Sequence, residues 1–152
     1  MTREVESIPS FSNLLREALG AALRPDAEGL LDMCDEQIVF EFPYAPAGAV
    51  SRLEGKTALA DYLPKVGALI VFDDLRLLAV HRADEVGVFV VEFSCRGHGR
   101  DTGLPYAQIY ISVIHVQDGL IVRYRDYWNP QVLLSAVGGE AALARALNGA
   151  EG

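Results

Sequence analysis

The chain is expected to adopt an α+β fold, a sheet with helices packed on one face. Three observations predict it. Apolar residues recur at helical spacing through residues 10–23, the period falls to two from residue 37, and four long strand-like runs follow residue 70 in two hairpin pairs.

In "SFSNLLREALGAAL", Phe11, Leu14, Leu15, Leu19 and Leu23 fall on one side of a helix. Arg24-Pro25-Asp26 breaks it, and "AEGLLDMCDE" predicts a second, short helix. "QIVFEFPY" alternates around Phe40 and Phe42 and predicts a strand ended by Pro43 and Pro46. "GKTALADYLPKV" predicts a third helix with Thr57 as its cap. "VFDDLRLLAVHR" and "VGVFVVEFSCR" are separated by a short polar turn, and "LPYAQIYISVIHVQ" and "GLIVRYRDYW" by Asp118-Gly119. The glycine-rich "GHGRDTG" between the pairs reads as a flexible turn. It lacks the strand–loop–helix setting of a phosphate loop. The tail, "NPQVLLSAVGGEAALARAL", reads as helical, with Asn129 as cap and Pro130 at the first helical position.

Both parities of the long strands are largely apolar, where a sheet with one wet face should alternate. Helices cover one face. The other is expected to meet a second copy of the chain, giving a homodimer.

At 152 residues, 51% hydrophobic and 22% charged, the chain is the size of a single domain, 1–152, with a real core. Thirteen basic against 21 acidic residues give a net charge of −8, which disfavours a nucleic-acid partner. No apolar run reaches the roughly 20 residues of a membrane span. "MTREVESIPS" lacks a leader pattern, so a cytoplasmic protein is expected. Cys34 and Cys95 form no CxxC motif and read as small buried hydrophobes. His81, His98 and His115 are scattered without ligand spacing, and no metal or other cofactor is expected.

The matching order of "IVFEFPYAP", "RLEGKTALADYL", "TGLPYAQIYISVIHVQDGLIV" and "RYRDYWNP" resembles the SnoaL-like branch of the NTF2-like superfamily. That branch includes ketosteroid-isomerase-like proteins, polyketide cyclases and the PhzA/PhzB phenazine-biosynthesis proteins. The resemblance implies an NTF2-like cone, a curved antiparallel sheet wrapped around N-terminal helices, with an apolar pocket at its open end. In the PhzA/PhzB-like pattern an acid precedes the asparagine-proline pair. Asp126 stands there, which implies a catalytic carboxylate, and Tyr106 matches a family tyrosine early in the preceding strand. The family's histidine on the strand equivalent to "DDLRLLAV" falls here at Arg76 or Leu78, so phenazine-type chemistry is not carried over.

The residues support the same choice. Val122, Tyr124, Asp126 and Trp128 share a parity, so Asp126 sits on an aromatic face where burial raises a carboxyl pKa toward that of a general acid or base. The alternative is a carboxylate bracing the strand end. Phe40, Phe42, Tyr44, Tyr110 and Trp128 are candidate pocket walls, and Gln108 shares the parity of Tyr106 and Tyr110. Glu92 interrupts "VFVVEFS" and is either a second pocket carboxylate or a paired structural charge. Glu41 reads as an arginine's partner on the far face. These features point to a cofactor-independent isomerase- or cyclase-type enzyme acting on a hydrophobic carbonyl or cyclic small molecule. The alternative is a ligand-binding or accessory protein of the same fold.

Overall fold

The computed structural model describes residues 9–148. Residues 1–8, most of the stretch read for a leader, lie outside the described residues, as do 149–152. Helix α1 (Pro9–Leu19) runs into a 3-10 turn at Gly20–Ala22 and buries Leu14, Leu15, Leu19 and Leu23, the stripe set by its spacing. The expected second helix shrinks to one turn, α2 (Leu30–Met33), and strand β1 (Cys34–Glu41) starts at once. Cys34 pairs with Ile121 in the sheet, and that pairing outweighs the short helical pattern of "LLDMCDE".

A three-residue edge strand, β2 (Arg52–Glu54), was too short to show alternation. Helix α3 (Lys56–Leu69) is capped by Gly55, not Thr57. Its backbone there has φ +96°, a conformation open to glycine and strained for other residues. Strands β3 (Ile70–Arg82), β4 (Val88–Gly99), β5 (Pro105–Gln117) and β6 (Leu120–Tyr127) are the two expected pairs. Positive φ at both Asp118 and Gly119 makes the tight β5–β6 turn. The tail divides into α4 (Pro130–Val137) and α5 (Glu140–Asn148) at Gly138-Gly139, both at positive φ.

Among the described residues the strands form one curved sheet, ordered β2-β1-β6-β5-β4-β3. Hairpin neighbours are antiparallel as expected, but β1 and β6 are parallel. They are joined through α3 and three long strands, so no hairpin dictates their direction. Helices α1, α3 and α4 pack on the concave face against β3, β1 and β5. The convex face leaves Leu78, Ile109 and Ile111 exposed, with Ile109 at 62%. No helix among the described residues is long and apolar enough to cross a membrane.

Candidate active site

Strand β6 carries the acid into the concavity. A register shift between His115 and Val116 leaves Val122 as an extra residue, a bulge that turns both Ile121 and Tyr124 inward. Val122 therefore drops out of the expected inward set, while Tyr124, Asp126 and Trp128 keep it. Tyr124 is fully buried, stacked on Phe40 at 4.3 Å between ring centres. Asp126 and Trp128 line a cavity of about 120 Å³ between the sheet and α3.

Among the described residues Asp126 is the only ionisable carboxyl on the cavity wall, and no described lysine, arginine or histidine joins it there. Its cross-strand partner is Ser112, whose Oγ donates to Asp126 Oδ1 at 3.0 Å. Burial pushes the Asp126 carboxyl up to about 7, and the Ser112 hydrogen bond pulls the other way without cancelling it. The residue as a whole is half-buried and lines the cavity. Burial, and then the charge of Asp126, pushes the Tyr62 hydroxyl up to about 12. Burial likewise raises Tyr106, Tyr110 and Tyr124. These phenols remain O–H donors at neutral pH.

The Tyr106 and Tyr110 hydroxyls lie 2.6 Å apart on β5, and both rings line the cavity. Two hydroxyls share one hydrogen between them, so the pair keeps a second hydrogen for a ligand oxygen. Gln108 steadies the pair from behind. The Asn129 backbone N–H donates to Gln108 Oε1 at 2.8 Å, and Gln108 Nε2 donates to the Asn129 carbonyl at 3.1 Å. A backbone N–H only donates and a carbonyl only accepts, so the amide orientation is fixed. Its remaining hydrogen points to Tyr106 Oη at a long 3.4 Å. The Asn129 side chain meanwhile caps α4 by accepting from the Gln131 N–H.

Of the residues expected at the pocket, Phe40, Phe42, Tyr106, Tyr110, Asp126 and Trp128 line it. Three do not. Glu92 lies on the convex face, because Phe89, Val91, Phe93 and Cys95 take the inward positions of β4. It pairs with His81 at 2.7 Å. Tyr44 follows Pro43 out of the strand, is 59% exposed and packs on the edge of Tyr127. Gln108 faces inward but is consumed by Asn129, so it braces the wall without forming it. Glu41 accepts from Arg52 and Arg123, the arginine partnership read from its parity.

Sequence reasoning missed Tyr62, Ser112, Phe72 and Phe93. Leu59, Tyr62, Leu63 and Val66 all line the cavity at helical spacing on α3, a stripe that was available in "TALADYLPKV". Ser112 was visible as the small polar residue among inward positions of β5. The inward positions of β3 that reach the cavity are Ile70, Phe72 and Leu75, all apolar. Arg76 instead pairs with Asp74, and Leu78 is exposed. Cys34 and Cys95 are buried free thiols. Among the described residues no three His, Cys, Asp or Glu side chains gather as a metal site requires.

The family model for the SnoaL-like domain matches residues 15–124. The chain is 46% identical over 125 residues to the uncharacterized protein YesE of Bacillus subtilis, covering 82% of this chain and 85% of that one. It is 35% identical over 127 residues to an uncharacterized PhzA/B-like protein of Pseudomonas aeruginosa, covering 82% and 88%. A crystal structure of a presumed isomerase from Bacillus subtilis superposes with a TM-score of 0.73 at 42% identity, covering 91% of this chain and 98% of that one.

Proposed function

The chain belongs to the SnoaL-like domain family, of NTF2-like fold, and from its pocket we propose a small-molecule enzyme of the isomerase or cyclase type. Asp126 takes a proton from carbon next to a carbonyl and returns it elsewhere on the substrate. The Tyr106–Tyr110 pair donates its spare hydrogen to the carbonyl oxygen as negative charge gathers there. The observation that carries this reading is a carboxyl that stands alone among the described residues of an apolar cavity, raised to about 7 by burial. A base with that pKa is partly ionised at neutral pH and still binds a proton strongly. A brace at the strand end would be lowered by an arginine or by backbone amides. Asp126 instead has the Ser112 hydroxyl as its hydrogen-bond partner.

Proton abstraction next to a carbonyl exchanges hydrogen for solvent deuterium, which makes the reading testable before the natural substrate is identified. In heavy water, the protein should accelerate exchange into small cyclic ketones, followed by NMR. Asp126→Asn should slow that exchange by about a hundredfold or more. Exchange that persists unchanged in the variant removes Asp126 from the chemistry and leaves a ligand-binding pocket.

A further inference from the structure

Resting on that reading of the pocket, we infer that the ligand is a carbonyl compound of about one ring that carries no anionic group, and that organic acids and polycyclic compounds are excluded. Charge sets the first limit. A carboxylate or phosphate on the ligand would enter a cavity where, among the described residues, the only carboxyl is Asp126 and no cation lines the wall. The arginines on the neighbouring strands serve the other face, where Arg52 and Arg123 bond Glu41. An anion would therefore lose its water and gain a like charge nearby.

Volume sets the second limit. The cavity of about 120 Å³ compares with the roughly 150 Å³ of an engineered apolar cavity that holds one benzene. Its walls resist enlargement. Phe93 stacks on Tyr110 at 4.7 Å, and behind Phe40 lies the fully buried ring of Tyr124. Widening the site for a second ring parts these contacts.

The polar groups set the third. Ser112 faces Asp126 across the ladder, and Tyr110 is the next inward residue on β5. Such diagonal neighbours stand about 7–8 Å apart or less. A ligand touching both has its carbonyl oxygen and its acidic C–H only a few bonds apart, as a cyclic ketone or enone does. The surrounding faces are aromatic and supply contact area without further hydrogen-bonding demands.

Trp128 is the only tryptophan and lines the cavity, so its emission reports occupancy directly. Titrations of the full chain would use cyclohex-2-enone, cyclohexanecarboxylate and a four-ring steroidal ketone, with calorimetry as a second readout. The enone should give a saturable change. At pH 9, where Asp126 is ionised, the carboxylate of the same ring size should bind at least about tenfold more weakly, because escaping the like charge by protonating Asp126 then costs about a hundredfold. That difference should narrow in Asp126→Asn, which ties the exclusion to the carboxylate. The steroidal ketone should not saturate. The inference is overturned if the acid or the four-ring ketone binds as well as the enone, or if the enone fails to saturate. Failure of the catalytic reading looks different, since selective enone binding would persist while deuterium exchange stayed at background.

Discussion

Replacing Asp126 by asparagine should change stability with opposite sign at two pH values. The folded chain holds the Asp126 proton with a value of about 7, whereas an unfolded aspartate titrates near 3.9. The folded state therefore binds this proton more readily than the unfolded state. Stability from this group is greatest below about pH 4, falls as pH rises from about 4 to 7, and carries its full penalty above about 7. A gap of about three units corresponds to about 4 kcal/mol at pH 8 and under about 1 kcal/mol near pH 4. Asparagine keeps the shape and the acceptor for Ser112 Oγ but never ionises. Its amide hydrogens in an apolar cavity take back about 1–3 kcal/mol. The net expectation near pH 8 is a gain of about 1–3 kcal/mol, which for a chain of this size raises Tm by about 2–12 °C. Near pH 4 the variant should be no more stable than wild type, or less so. Thermal melts followed by circular dichroism at both pH values decide it. A variant that melts well below wild type near pH 8 would show that the ionised carboxylate holds the strand end together, and would refute the burial argument.

Ser112→Ala removes the hydrogen bond that favours the ionised form of Asp126, so the carboxyl should rise further. The ascending limb of kcat/KM for carbonyl exchange should then move to higher pH, and a move to lower pH would contradict it. Gln108→Leu strips the partners from the Asn129 N–H and carbonyl and should cost about 1–3 kcal/mol for each group left unpaired. Unlike the Asp126 effect, that loss should appear in melts at every pH. The exposed Leu78, Ile109 and Ile111 lead us to propose a homodimer through the convex face. Sedimentation should give a dimer at micromolar concentration and a folded monomer for Ile109→Glu, whereas a monomeric wild-type chain would contradict the assignment.

The fold was legible where periodicity was long. Strand β5 was legible as a strand, but both its parities are largely apolar, and it was the resemblance at Tyr106 that pointed to the side where Tyr106, Gln108, Tyr110, Ser112 and Ile114 are all buried. Short elements were poorly legible: β2, with three residues, expresses no period, and α2 keeps only four residues of the stretch read as a second helix. The β6 bulge displaced Val122, yet the parity from Tyr124 onward survived, so Asp126 was correctly placed on the inner face. Glu92 failed for a different reason. Both faces of β4 are apolar, so its parity did not say which side was inward. Gln108 was placed on the right face, but its capture by the Asn129 backbone is a tertiary contact 21 residues away in sequence, which no local pattern encodes.

The ionisation of Asp126 itself tests the account most directly. The carboxyl carbon can be followed by NMR across the pH range in carbon-13-labelled protein, with its resonance assigned by its absence in Asp126→Asn. The midpoint is expected near 7, raised by burial against the opposing pull of Ser112. A midpoint at or below about 4 would mean that the folded chain stabilises the charge. Asp126 would then be a structural anion, and the acid–base role assigned to it would fall.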